Sequence, residues 1–279
     1  MGHLDNLNYR THSLAHVGPE MQKASRAPTG VYGLDEVLGG GFPQGRTILI
    51  IGEPGAGKTI LSSQFLINGI DKFGENGLLV SLKENSRVRY ESDMNQFGWD
   101  FANAEKLGKF SFIDASPFRP LPGEVKDGKL TLGSQDFSLL SMLELIRNNA
   151  KTINAKRIVL DSLSMLELQY PNATQRRKAV LDIVEFLSET GATCVATTDF
   201  SSIGLEPFTA LEEFLRFSTI QFEKQFFHGV ITMQTILAER TMERTITVEK
   251  MYASQIDRQP RPYRITEKGI EVYPRESVV

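Results

Sequence analysis

Apolar residues in this chain change their spacing repeatedly, and the changes mark out alternating strands and helices. Short runs rich in apolar and β-branched residues at 47–51, 77–82, 109–113, 157–160 and 193–197 read as strands. Most are too continuous for a sheet with one wet face, so they suit strands buried on both faces. Between them the spacing becomes helical. Leu61, Phe65 and Leu66 share one side of a segment at 59–70, residues 87–97 look helical, and Leu139, Leu140, Met142, Leu143 and Ile146 form one apolar side. A further helix is expected over 174–189. The alternation predicts an α/β fold, a mostly parallel sheet with helices on both faces.

The character changes after Ser218. Residues 219–226, 230–238 and 245–251 alternate or run as β, with turn signals at His228-Gly229 and near Glu243, and 263–266 and 270–273 close the chain. The expectation is an antiparallel β extension at the C-terminus, a meander added to the same sheet. Residues 115–136 hold Pro117, Pro120, Pro122, Gly123, Gly128 and Gly133, which predicts a surface loop with a short hairpin at 129–132. Residues 1–26 are expected to be a flexible arm, 27–274 one domain, and 275–279 a tail. The arm carries His3, His12 and His16 at a spacing that matches no common metal site, so solvent exposure is expected.

Composition narrows the class. The chain has 279 residues, 41 % of them hydrophobic and 23 % charged, enough for a real core in one large α/β domain. A net charge of −3 gives no global pull toward nucleic acid. The single cysteine, Cys194, excludes an intramolecular disulfide and fits a reducing, cytoplasmic setting. It lies in an apolar run and reads as a small buried hydrophobe. No stretch approaches 18 consecutive apolar residues, so no membrane span is expected.

The chemistry enters directly after the first strand. Gly52-Glu53-Pro54-Gly55-Ala56-Gly57-Lys58-Thr59 fits the phosphate-binding loop pattern, two glycines, a lysine and a hydroxyl residue between strand and helix. Gly52, Gly55 and Gly57 lack a Cβ, so the backbone can turn through positive φ and approach a phosphate. Pro54 stiffens the loop. Amides of the loop and of the following helix, which begins near Lys58 and runs on through Ile60, would face one anion. Lys58 would meet the β- and γ-phosphates, and the Thr59 hydroxyl would ligate Mg²⁺. The ligand implied is a nucleoside triphosphate such as ATP, with Mg²⁺ as its metal.

A second acidic group should complete the metal shell. Asp161 ends the apolar run 157–160, at the strand edge where ligands sit in open parallel sheets. Lys83 and Glu84 follow the strand at 77–82. Glu84 is the candidate base for water. Lys83, cationic at neutral pH, is a poor base and is expected to pair with Glu84 or reach a phosphate. Thr197-Thr198-Asp199 ends the next strand, a weaker polar signal.

Residues 29–45 read Thr-Gly-Val-Tyr-Gly-Leu-Asp-Glu-Val-Leu-Gly-Gly-Gly-Phe-Pro-Gln-Gly. With the loop that follows, they closely resemble the KaiC-like branch of the RecA superfamily of P-loop ATPases. Phe97-Gly98-Trp99-Asp100, Phe112-Ile113-Asp114-Ala115-Ser116-Pro117, Asp161-Ser162 and Thr197-Thr198 fit as well. So does the tail Tyr263-Arg264-Ile265-Thr266-Glu267-Lys268-Gly269-Ile270. The resemblance covers about residues 27–274 and is to single-domain archaeal-type homologues rather than the tandem clock protein. It implies a RecA-like core and a homo-oligomeric ring, a hexamer, with ATP between neighbouring subunits. Lys83 and Glu84 occupy the usual pair of catalytic glutamates, and lysine in the first place argues for slow hydrolysis. The segment that contacts a neighbour's γ-phosphate usually reads Lys-x-Arg-Gly-Thr-x-His. Here it is Lys250-Met251-Tyr252-Ala253-Ser254-Gln255-Ile256, so Lys250 is kept while Tyr252 replaces the arginine finger.

Three functions stand on these residues. The first is a slow Mg²⁺-dependent ATPase whose nucleotide state governs ring assembly or partner binding. The second is an ATP-binding scaffold that does not hydrolyse. The third is a DNA-acting, recombination-associated protein, resting locally on Arg176-Arg177-Lys178, a triplet that otherwise reads as a solvated helix face.

Overall fold

The computed structural model describes residues 25–83, 87–116, 139–200, 224–238 and 241–277. The chain opens with β1 (Arg26–Ala27), α1 (Leu34–Val37) and β2 (Phe42–Pro43). The expected alternation follows as β3 (Thr47–Gly52), α2 (Lys58–Phe73), β4 (Gly77–Ser81), α3 (Arg87–Asn95), α4 (Phe101–Lys106) and β5 (Phe110–Asp114). Then come α5 (Leu139–Thr152), β6 (Arg157–Asp161), the short α6 (Leu166–Gln169), α7 (Ala173–Glu189) and β7 (Thr193–Asp199). β8 (Gly229–Ala238), β9 (Thr241–Met251), β10 (Arg261–Thr266) and β11 (Gly269–Val272) complete it.

Nine strands form one sheet in the order β11-β10-β9-β8-β3-β7-β6-β4-β5. Side chains along its central strands alternate between two cores, as period 2 demands. Ile48, Ile50, Leu79, Val159 and Val195 face one cluster with Phe65, Leu66 and Phe101. Leu49, Ile51, Leu78, Val80, Ile158 and Leu160 face the other, with Ile146, Ile183 and Leu187. Neither face is wet, which is why the sequence runs are continuous rather than alternating. Cys194 is fully buried in the second cluster, and burial pushes its thiol up to about 12.

The C-terminal extension differs in part from its sequence reading. β8 pairs in parallel with β3, Ile48 beside Gly229 through Gly52 beside Met233, and only β9, β10 and β11 continue antiparallel. Lys224–Phe226 form a turn rather than strand, and the remainder of 219–226 lies outside the described residues. Glu243 sits within β9, opposite Ile236, not in a turn. The long β8–β9 pairing carries both strands past their other neighbours, and a local turn signal does not register that. Of the arm expected at 1–26, residues 1–24 with the three histidines lie outside the described residues, whereas Arg26 is in β1, paired with Pro43; the hairpin expected at 129–132 also lies outside the described residues.

The glycine-rich lead-in is fixed by one carboxylate. Asp35 accepts from the Thr29 amide at 2.8 Å, the Thr29 hydroxyl at 2.7 Å and the Gly30 amide at 3.0 Å. Asn68 of α2 donates to the Thr29 carbonyl at 3.2 Å, and the Tyr32 backbone forms a parallel bridge with Glu271 of β11. The lead-in therefore packs against α2, the helix that begins at Lys58.

Arg157 anchors the same helix from below. It is fully buried, with its guanidinium carbon 4.4 Å from the Phe65 ring centroid and 5.1 Å from that of Phe73. It donates to Glu75 at 2.6 Å and to the Phe65 carbonyl at 2.7 Å. Burial pulls its pKa down, opposed by Glu75. Arg157→Ala should cost about 2–4 kcal/mol, through the cavity and the lost cation–π and hydrogen-bonded partners. Urea denaturation followed by circular dichroism measures it, and an unchanged midpoint would contradict this role.

Candidate functional site

The bend between β3 and α2 is built for an anion. Gly57 stands at φ 91°, in the left-handed region, and opens α2 with no side-chain cap. The first intrahelical donor is the Leu61 amide to the Gly57 carbonyl at 2.9 Å. The amides of Lys58, Thr59 and Ile60 therefore point out of the helix end without an intrahelical acceptor, where the helix dipole is positive. Gly52 serves differently from its sequence reading. It is the last residue of β3, and a Cβ there would meet the Met233 carbonyl oxygen of β8 at 2.4 Å. Close strand packing, rather than positive φ, is what excludes a side chain at that position.

Around the bend the polar groups of four strand ends converge. β3, β7, β6 and β4 lie side by side and parallel, so their C-terminal ends share one edge. Lys58, only 4 % exposed, donates to the carbonyls of Gly52 at 2.9 Å and Glu53 at 2.8 Å. Its third partner is Asp199 at 2.7 Å. Half-burial would raise the Asp199 carboxyl, but hydrogen bonds from Lys58 and Ser164, with the charges of Lys58 and Lys83, outweigh it and hold the pKa below the usual carboxylate range.

Thr59 donates to Asp161 at 2.7 Å. Those two residues, assigned to one metal from sequence, are thus side by side although 102 positions apart. The other Asp161 oxygen accepts from Thr197 at 2.5 Å and from the Lys83 ammonium at 3.0 Å. Lys83 also lies 3.3 Å from the Thr59 hydroxyl. Lys83 therefore pairs with Asp161. Glu84, the candidate base, lies outside the described residues. Pro54, Gly55 and Ala56 form the tip of the bend, with Ala56 donating back to the Glu53 carbonyl at 3.1 Å.

Three contacts here were not legible in the sequence. Asp199 was only a polar strand end, and its bond to Lys58 depends on β7 lying next to β3. Ser164, just after β6, donates to Asp199 at 2.7 Å. Tyr263 of β10 donates to the Ala56 carbonyl at 2.5 Å, and burial pushes its hydroxyl up to about 12. The tail motif held Tyr263, but nothing local showed which backbone it would brace.

Lys250 and Tyr252 lie elsewhere. Met251 pairs with Gly229, which is level with Ile48, so both lie toward the opposite ends of the strands, four residues or roughly 13 Å back along the strand direction from the level of Gly52. The Lys250 ammonium sits 4.7 Å from the Tyr252 ring centroid and donates to the carbonyls of Lys224 and Gln225 at 3.3 Å each. Tyr252 is 53 % exposed. Arg176 and Arg177 are half-buried, and Arg176 donates to the Tyr170 carbonyl, so the triplet with Lys178 is no uniform basic face. Among the described residues no helix is long and apolar enough to cross a membrane.

A family model described as the KaiC ATPase matches residues 27–277. A UPF0273 protein of Pyrococcus horikoshii is 33 % identical over 251 residues, covering 89 % of this chain and 94 % of its own length. The circadian clock oscillator protein KaiC of Synechococcus elongatus is 30 % identical over 255 residues, covering 91 % of this chain and 45 % of its own. Among solved structures, a KaiC-like protein from the hyperthermophilic archaeon Pyrococcus horikoshii superposes with a TM-score of 0.70 at 30 % identity, covering 90 % of this chain and 100 % of that one. An anion-facing helix end, a buried lysine and a threonine–aspartate pair thus occur within a match that runs from the lead-in to the last strand, and the chain belongs to the KaiC family of RecA-superfamily ATPases.

Proposed function

We propose that this protein binds ATP with Mg²⁺ at the bend from Gly52 to Ile60 and hydrolyses it slowly, within a homo-oligomeric ring whose assembly or partner binding follows the nucleotide state. The observation that carries this reading is the uncapped start of α2, with Lys58 beside it. Triphosphate oxygens would accept from the outward amides, and Lys58 would move from Asp199 toward the phosphates. The residues fit magnesium. Thr59 and Asp161 present two hard oxygen donors in direct contact, and Mg²⁺ takes one or two such groups beside phosphate oxygens. When bound, the ion would neutralise charge on the phosphates. Glu84 is assigned the role of orienting water, and Lys83 the role of a cation at the γ-phosphate side.

Lys250 and Tyr252 are assigned to a neighbour's nucleotide. Support comes from their place toward the strand ends opposite their own chain's loop. With Tyr252 in the finger position, Lys250 is the remaining cation for that contact, which favours a low rate. A non-hydrolysing scaffold is the second reading, favoured by the Lys83–Asp161 pair. The single cysteine, Cys194, buried in the core, fits the reducing, cytoplasmic setting proposed for the protein.

Phosphate release under excess Mg²⁺–ATP separates the readings. Lys58→Ala should lower the rate about 100-fold or more, because a preorganised cation at developing charge is lost. A wild-type rate no higher than that of Lys58→Ala would discard the ATPase reading. Light scattering tests the ring. Wild type should gain mass on adding ATP, and Lys250→Ala should need several-fold more protein to do so. A monomer at every concentration with ATP would contradict the shared site.

A further inference from the structure

Each of the two carboxylates at the strand edge holds an ammonium group. Asp199 holds that of Lys58 at 2.7 Å, and Asp161 holds that of Lys83 at 3.0 Å. The second pair is the unusual one. Lys83 also stands 3.3 Å from the Thr59 hydroxyl, so one tethered cation touches both oxygen groups that a divalent ion would use. Its side chain is 33 % exposed, whereas that of Asp161 is 7 % exposed. The carboxylate is fixed by Thr59 and Thr197, and the lysine reaches it on a flexible stem from just beyond β4.

We infer that Lys83 competes with the divalent cation for Asp161 and so sets how far nucleotide binding depends on metal. This rests on the nucleotide reading of the site. A divalent ion entering between Thr59 and Asp161 must expel an ammonium from the same oxygens, or sit against its like charge in a half-buried place. A metal-free triphosphate meets the reverse situation. Two ammonium groups already stand at the edge of the bend, both able to turn from carboxylate to phosphate. The gain in affinity that metal gives is therefore small in this chain. A neutral side chain at 83 removes the competitor and leaves Asp161 to the metal.

Calorimetric titration of the full chain with ATP, in excess Mg²⁺ and in EDTA, reads this directly. The wild-type Kd should differ less than about threefold between the two conditions, and Lys83→Gln should widen the difference to about tenfold or more. Lys83→Arg, which keeps the charge, should stay near wild type, and it is the widened metal dependence of Lys83→Gln alone that a merely structural role for Lys83 would not produce. Equal metal dependence in wild type and Lys83→Gln overturns this inference while leaving nucleotide binding intact. No heat in any condition, from protein whose circular dichroism is native, overturns the nucleotide reading and this inference with it.

Discussion

The start of α2 governs the rest of the site. A helix that begins without a cap leaves amides unpaired, and their orientation is fixed by everything that holds the helix. In this chain that support is extensive. Arg157 grips α2 through Phe65 and Phe73, Asn68 ties it to the lead-in, and Gln64 bonds the backbone of β11 on both sides, accepting from the Ile270 amide at 2.8 Å. Tyr263 braces the bend at Ala56. The amides are thus set before any ligand arrives, so little reorganisation is needed to bind an anion.

Electrostatics follow from the sheet order. Parallel strands place their C-terminal ends on one edge, so Asp161 and Asp199 arrive together although they belong to different strands. Two lysines neutralise them. The result is a locally balanced group of charges in which both carboxylates are fixed by hydroxyl donors from Thr59, Thr197 and Ser164, and under the proposed function both cations would turn to phosphate.

Local signals made much of this legible. The strand–loop–helix unit at Gly52–Thr59, the place of Asp161 at the end of its strand, and the parallel α/β core each rest on short-range patterns whose physics is strict. Other features depend on which strands become neighbours, and no local pattern carries that. Asp199 meets Lys58 because β7 lies beside β3. Lys83 meets Asp161 because β4 lies beside β6, which the chain order alone does not specify. The parallel pairing of β8 with β3, the strand position of Glu243 and the brace from Tyr263, 207 positions from Ala56, fail to show for the same reason.

The most direct test of the central claim is hydrogen exchange at the bend, followed by mass spectrometry on peptides covering residues 52–61. Saturating Mg²⁺–ATP should slow exchange of the amides from Gly55 to Ile60 more than anywhere else in the first half of the chain. Unchanged exchange there, with nucleotide demonstrably bound, would mean that the triphosphate is held somewhere other than the open end of α2.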